Sequence, residues 1–213
     1  IFKQKTIVVD LGGSIVHPQE IDVEYIRSFA AFIRAEIKNG RRFLIVIGGG
    51  KLARIFIGAA EQIAPITDEE KDWLGVYATR LNGQLLRAIF EDIVDPIVIH
   101  RRFKIDSIRY PVTIASGWQP GWSTDYVSMA LASDLGLKDI IIAGSPDYVY
   151  DKDFEKYQDA KPFKTLTWQK YRTLIPRKWK PGFSSPIDPI AAKHAEIKKL
   201  TGIVIGGRDL KNF

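Results

Sequence analysis

Residues 5–50, KTIVVDLGGSIVHPQEIDVEYIRSFAAFIRAEIKNGRRFLIVIGGG, carry the alternation that decides the fold. Thr6-Ile7-Val8-Val9 is a short unbroken β-rich run closed by Gly12-Gly13-Ser14, the pattern of a strand buried on both faces. From 22 to 38, Ile26, Phe29, Ala30, Ile33 and Ile37 recur at three- and four-residue spacings among Arg and Glu, and Asn39-Gly40 supplies a stop. That spacing predicts an amphipathic helix. Phe43-Leu44-Ile45-Val46-Ile47 is a second continuous apolar run, followed by Gly48-Gly49-Gly50 and a helical stretch from Lys51 to Ile63. The order β-loop-α-β-loop-α predicts a parallel sheet with right-handed crossovers and helices on both faces.

Outward from this core, residues 68 to 92 read as one long helix or two, with Gly75 and Gly83 in the middle. Short β-like runs follow at Ile97 to Ile99, Val112 to Ala115, Ile140 to Ala143 and Ile203 to Ile205, with helical patterns at about 125 to 135 and 188 to 199. The stretch 144 to 187 differs: five prolines punctuate basic and aromatic residues without a long period, which suggests an extended lobe or flap. No repeat or flexible linker divides the chain, so 213 residues with 46% hydrophobic content are read as one domain.

Composition narrows the chemistry. Without cysteine there is no disulfide, thiolate nucleophile or Cys-ligated metal, and His17, His100 and His194 leave little for a zinc site. Carboxylates, cations and backbone remain. A net charge of +6 is too mild to argue for nucleic acid. Lys161, Lys164, Lys170, Arg172, Arg177, Lys178 and Lys180, interleaved with Phe163, Trp168, Tyr171 and Trp179, read as a solvated face because no binding-module motif accompanies them. No apolar run approaches a membrane span, and the start lacks a signal-peptide cleavage site, so a soluble cytoplasmic protein is expected.

Three glycine-rich turns each follow an expected buried strand: Gly12-Gly13-Ser14, Gly48-Gly49-Gly50, and Ser116-Gly117 leading into Gln119-Pro120-Gly121. Ligands of open parallel sheets bind outside the strands' carboxyl ends, where glycine lets backbone N–H groups approach phosphate oxygens. Any one cluster could be a tight turn and nothing more; three together point to a nucleotide or sugar-phosphate site. Neither the Walker nor the dinucleotide fingerprint is present.

The segments GGGKLARIFI (48–57), DWLGVYATRLN (72–82), SGWQPGWSTDYVSMALASDLG (116–136) and SSPIDPIAAKHAEI (184–197) resemble, in order, the amino acid kinase superfamily, and more narrowly its archaeal-type uridylate kinases. The resemblance implies a three-layer α/β/α sandwich around a mostly parallel sheet, with an acceptor-binding part at roughly 1–140 and a nucleotide-donor part at roughly 141–213. It implies transfer of the γ-phosphoryl group of ATP to UMP with Mg²⁺, no metal held by dedicated protein ligands, and a homo-oligomer, hexameric in this family. By the same resemblance, Gly12, Gly13 and Ser14 cradle the ATP phosphates, Gly48, Gly49 and Gly50 lie between the two substrates' phosphates, and Lys51 and Arg54 belong to the phosphate site. Asp72 meets the UMP ribose, and Trp118, Gln119, Pro120, Gly121, Trp122, Ser123 and Thr124 wrap the UMP base and phosphate. Asp125 organises the catalytic cations; its type and place also suit an ordinary helix cap. Ser145, Tyr150 and Asp153 fall in the adenine-side loop, Ser184, Ser185, Asp188 and Lys193 in the segment closing over ATP, and Arg80 and Asn82 in a shared block on the 72–82 helix.

The chain departs from the pattern at one residue, one loop and two tryptophans. Asp10 stands where many superfamily members have lysine; the archaeal subgroup resembles this chain in having an acid there. Gly144-Ser145-Pro146-Asp147-Tyr148-Val149-Tyr150 replaces the adenine loop Thr-Asn-x-Asp-Gly-Val-Tyr, removing an N–H donor at Pro146. Trp118 and Trp122 replace smaller or imidazole side chains, where they could stack on a base or fill the pocket. A sister kinase with another phosphate acceptor, or a silent nucleotide- or oxyanion-binding protein, are the alternatives.

Overall fold

Each long buried run of the sequence is a strand of one parallel sheet. The computed structural model describes residues 5–102, 105–154, 156–177 and 185–213. In chain order its elements are β1 (Lys5–Leu11), α1 (Gly13–Val16), α2 (Val23–Lys38), β2 (Arg41–Ile47), α3 (Gly50–Ile63), α4 (Asp68–Ile89), β3 (Val112–Ala115), α5 (Thr124–Asp134), β4 (Asp139–Gly144), β5 (Val149–Tyr150), β6 (Pro162–Phe163), α6 (Trp168–Leu174), α7 (Pro189–Lys198) and β7 (Thr201–Gly206). The five-stranded order is β3-β2-β1-β4-β7, with every pair parallel; Val8 sits between Leu44 and Ile140.

Alternation along the strands feeds two cores. Val9, Leu11, Phe43, Ile45 and Ile47 pack with Phe29 and Ile33 of α2 and Leu86 of α4, whereas Val8, Leu44 and Val46 pack with Met129 and Leu131 of α5 and Ala191 and Ala195 of α7. Both faces are covered, which is why the strands read as unbroken apolar runs. The result is the expected three-layer α/β/α sandwich. Because β2 and β3 lie on one side of β1 and β4 and β7 on the other, the chain reverses direction across the sheet between β1 and β4. Ligand crevices form outside the strand ends at such a point.

Local chemistry sets the helix ends. Asp22 caps α2 by accepting from the Tyr25 N–H at 2.9 Å, and Gly40, at φ 81°, turns the chain out of it. Segment 68–92 holds one helix, α4, ending at Ile89: Thr67 caps it, and Asp68, Glu69 and Glu70 in its first turn and Arg87 in its last complement the dipole. Gly83 does not break α4; it lets the helix lie close to its neighbours, since a Cβ there would sit 3.2 Å from the Val98 side chain.

Two segments differ from the sequence reading. Ile97 to Ile99 is no named strand: single bridges pair Val94 with Val112 and Ile99 with Ala115, and Pro96 between them has no N–H to continue a ladder. The 144–187 lobe contains an antiparallel β5–β6 pair and the helix α6, which the proline punctuation hid; Thr167 caps α6 and Tyr171 anchors it in the core. Lys178, Trp179, Lys180 and Ser184 lie outside the described residues. Among the described residues no helix is long and apolar enough to cross a membrane.

Candidate active site at the carboxyl rim of the sheet

The first two glycine turns interlock. The Gly12 N–H donates to the Ala143 carbonyl at the end of β4 (2.9 Å), and the Gly48 N–H donates to the Leu11 carbonyl at the end of β1 (3.0 Å). Gly50, at φ 62°, packs its Cα against the first turn, and the Lys51 N–H donates to the His17 carbonyl at 2.9 Å. A Cβ on Gly13 would lie 2.1 Å from the Gly50 nitrogen, so neither turn tolerates a side chain facing the other. The turns lead into α1 and α3, whose leading N–H groups have no intrahelical acceptor.

Helix α4 ties these turns to the third. Asn82, 2% exposed, donates through Nδ2 to the Gly48 carbonyl (2.9 Å) and the Gly49 carbonyl (3.2 Å). One turn earlier, the Thr79 hydroxyl accepts from the Gly117 N–H at 2.7 Å, and Arg80 donates to the Trp118 carbonyl at 3.1 Å while lying over the Tyr77 ring. Asp72 accepts from the Gly121 N–H at 2.8 Å. Arg80 and Asn82, which the sequence left without a role, hold loops in place.

A cavity of about 190 Å³ opens between α4 and the third turn, and Gly49, Asp72, Gln119, Trp122, Ser123 and Thr124 line it. Pro120 and Gly121 belong to the same loop but do not line it. Trp118 also stays out: its indole is 4% exposed and packs in the core against Trp122 with ring centroids 6.0 Å apart. Of the two tryptophans, Trp118 fills space and Trp122 faces the cavity. From α4, Gly75, Val76 and Thr79 also line it. Sequence reasoning missed them, although with Asp72 they follow the 3-4-7 spacing of one helix face.

A second cavity, about 390 Å³, is lined by Ser145, Tyr148, Tyr150, Asp153, Tyr171 and Ser185 among others. Tyr150 stacks on Phe154 (5.0 Å, 24°) and donates to Asp147 at 2.7 Å. Ser145, Tyr150 and Asp153 therefore come together here, while Gly13, Ser14 and Gly50 belong to the interlocked turns. Lys51 is half-buried at the start of α3; Arg54, one turn on, and Lys193 on α7 are exposed. Among the described residues none of these three cations has an ion-pair partner within 4.0 Å.

At the crevice between β1, α5 and α7 lie three carboxyls. Asp188 caps α7, accepting from the Ile190 N–H (2.7 Å) and the Ala191 N–H (3.1 Å) through Oδ1 and from the Ser123 hydroxyl through Oδ2. Asp125 accepts from the Asp188 N–H at 2.8 Å, which joins α5 to α7. Asp10, 3% exposed, accepts from the Ser128 hydroxyl at 3.0 Å, and the same hydroxyl lies 2.8 Å from the Asp125 backbone carbonyl oxygen. Burial pushes Asp10 up to about 7 and Asp125 well above the usual carboxylate range, the latter also by the charges of Asp10 and Asp188. Asp188 is raised by burial too. The cap of α5 is Ser123, so Asp125 is free of the capping duty that its type suggested.

Comparison with known proteins fits this geometry. The model of the amino acid kinase family matches residues 5–206. The uridylate kinase of Methanocaldococcus jannaschii is 34% identical over 205 residues, covering 94% of this chain and 90% of that protein. That of Thermococcus gammatolerans is 31% identical over 207 residues, covering 95% and 91%. The crystal structure of uridylate kinase from Archaeoglobus fulgidus superposes with a TM-score of 0.83 at 30% identity, covering 98% of this chain and 92% of that one. The family match starts at the first residue of β1 and ends at the last of β7, leaving no strand of the sheet outside it, and the chain belongs to the amino acid kinase family.

Proposed function

We propose that this chain transfers the γ-phosphoryl group of ATP to UMP, giving ADP and UDP. The observation that carries the reading is the pair of cavities flanking the interlocked glycine turns at the sheet's reversal point, in a chain about 30% identical along nearly its whole length to proteins named uridylate kinase. UMP occupies the cavity of Asp72, Gln119 and Trp122, entered between 1 and 140. ATP occupies that of Ser145, Tyr150 and Asp153, in 141–213, and the phosphates of both meet over Gly13, Ser14, Gly49 and Gly50.

In-line transfer needs positioning and charge neutralisation more than covalent chemistry. Backbone N–H groups of the turns hold phosphate oxygens, and Lys51 and Arg54, with Lys193 from α7, offset the charge spread over the transferring group. An acceptor phosphate oxygen is already ionised near neutral pH, so no residue has to remove a proton from it. Mg²⁺ fits as a passenger of ATP. Both Asp188 oxygens are occupied, and among the described residues no group of three His, Asp or Glu could hold a metal. Its ligands would then be phosphate oxygens and water, where it supplies charge neutralisation at the β- and γ-phosphates. A cytoplasmic homo-oligomer of hexameric size belongs to the same reading; Ile55, Phe56 and Ile63 on α3 and Tyr77 and Leu81 on α4 are exposed apolar side chains that a subunit contact would cover.

ADP release measured with UMP, CMP and other small phosphate acceptors tests the proposal. Stimulation by UMP above the others is expected; none with UMP would reject it, and heats of binding for ATP and UMP without turnover would favour a silent binding protein.

A further inference from the structure

Helix α3 carries Lys51 and Arg54, yet no residue of it is buried. Its hold on the rest of the molecule can therefore be followed contact by contact. At its start Gly49 fits closely beside α4: a Cβ there would lie 2.9 Å from the Ala53 side chain, 3.4 Å from the Gly75 carbonyl oxygen and 3.5 Å from the Ala78 side chain. At its far end the Lys71 ammonium of α4 donates to the Glu61 carboxylate at 2.7 Å, with Asp68 a looser second partner at 3.5 Å. The Lys71 side chain is 23% exposed. Among the described residues no other side chain of α3 enters an ion pair within 4.0 Å. The start of α3 thus meets the middle of α4 and its end meets the first turns of α4, so the two helices run antiparallel. Ile57 of α3 and Lys71 of α4, neither of which the sequence singles out, both line the cavity beside α4.

We propose that the Glu61–Lys71 pair is a strut that sets the place of α3 against α4 and with it the place of Arg54, which makes Glu61 and Lys71 positioning residues for the phosphate site. Arg54, Ile57 and Glu61 recur at spacings of three and four residues and share one stripe of α3. Seven residues turn an α-helix to within roughly 20° of two full turns, so Glu61 and Arg54 lie almost in line along that stripe. Without the strut, the polar hold on α3 is confined to its first turn, where the Lys51 N–H donates to the His17 carbonyl. The helix can then tilt about the Gly49 contact and carry Arg54 with it. That Arg54 serves a phosphate rests on the phosphotransfer proposed above; the strut does not.

Amide hydrogen exchange of the intact protein reads the strut directly. Glu61→Gln keeps the side chain's size and removes its charge; exchange across residues 58–63 should quicken about fivefold, the upper value of an exposed ion pair, with α2 unchanged. Lys71→Met should do the same, and the double variant should exceed neither single one, because either change breaks the one pair. Exchange unaltered by Glu61→Gln, or two effects that add in the double variant, would overturn the strut. The second readout is kcat for the UMP-dependent reaction. Glu61→Gln should lower it about fivefold at an unchanged KM for ATP, and should lower it no further in an Arg54→Ala background. A kcat that does not fall, or that falls equally in both backgrounds, would overturn the placing of Arg54. A wild type inactive toward UMP would sink the phosphotransfer alone, and exchange would still decide the strut.

Discussion

Replacing Gly13 by alanine should separate the two turns that the proposed phosphate site depends on. The new Cβ would lie 2.1 Å from the Gly50 nitrogen and 2.5 Å from the Gly48 carbonyl carbon, both backbone atoms that cannot rotate away. Reaching even 3.0 Å from the nitrogen means parting the turns by about 0.9 Å. That movement strains the bonds crossing the junction, Gly48 N–H to Leu11 at 3.0 Å and Lys51 N–H to His17 at 2.9 Å. Overpacking costs roughly 1–3 kcal/mol and a buried bond left unmade roughly another 1–3, so a loss of about 2–6 kcal/mol is expected. Urea unfolding reads it as a midpoint lowered by roughly 1–2 M at an unchanged slope. Gly12→Ala is the internal control, because its Cβ meets the Ala143 carbonyl oxygen at 3.1 Å and needs only a few tenths of an ångström, for a cost under about 1.5 kcal/mol. ADP release with UMP should follow the same order, with Gly13→Ala much the slower. Gly13→Ala with the wild-type midpoint and turnover would refute the interlocking.

Three further outcomes are expected. Asn82→Ala leaves the Gly48 and Gly49 carbonyls without their side-chain donor; it should lower stability by about 2–3 kcal/mol by calorimetry and raise KM for UMP. Arg54→Ala should leave unfolding within about 0.5 kcal/mol of wild type, since the side chain is exposed and unpaired among the described residues, while kcat falls by roughly 10²–10³; unchanged kcat would remove Arg54 from the phosphate site. Because Asp10 titrates near 7 in the folded state against 3.8 for its ordinary value, the folded protein holds the proton that the unfolded chain has lost, and this group's contribution to stability declines as pH rises from about 4 to about 7. His194, depressed by burial, acts in the opposite sense, so the difference in Tm between wild type and Asp10→Asn across pH 5 to 8 isolates the carboxyl; a difference that does not vary with pH would contradict it.

The turns and helices were legible because glycine and helix spacing are local signals: the three glycine turns, α2, α3, α5 and α7 lie close to where periodicity placed them. Asp72, Gln119, Trp122, Ser145 and Tyr150 line cavities, but the family resemblance and not spacing singled them out. Trp118 and Trp122 show where that stops. They sit four residues apart in one loop, and only packing decides that one indole enters the core and the other faces the cavity beside α4. Helix α6 escaped detection because seven residues make too short a period among prolines, and it is held by the Tyr171 contacts with Ile187, sixteen residues away.

By itself the chain's pattern determined the alternation, the unbroken strands and hence a parallel sheet covered on both faces, since burying two faces demands apolar residues at consecutive positions. Which strands are neighbours was decided only in three dimensions: β4 crosses to the far side of β1 and opens the crevice there. The same crossing brings Asp10, Asp125 and Asp188, from three distant segments, to one crevice in which Asp10 and Asp188 are buried and Asp125 half-buried. Their protonation belongs to the tertiary structure alone, because a carboxyl's affinity for its proton depends on how much water and how many like charges surround it once the chain has closed.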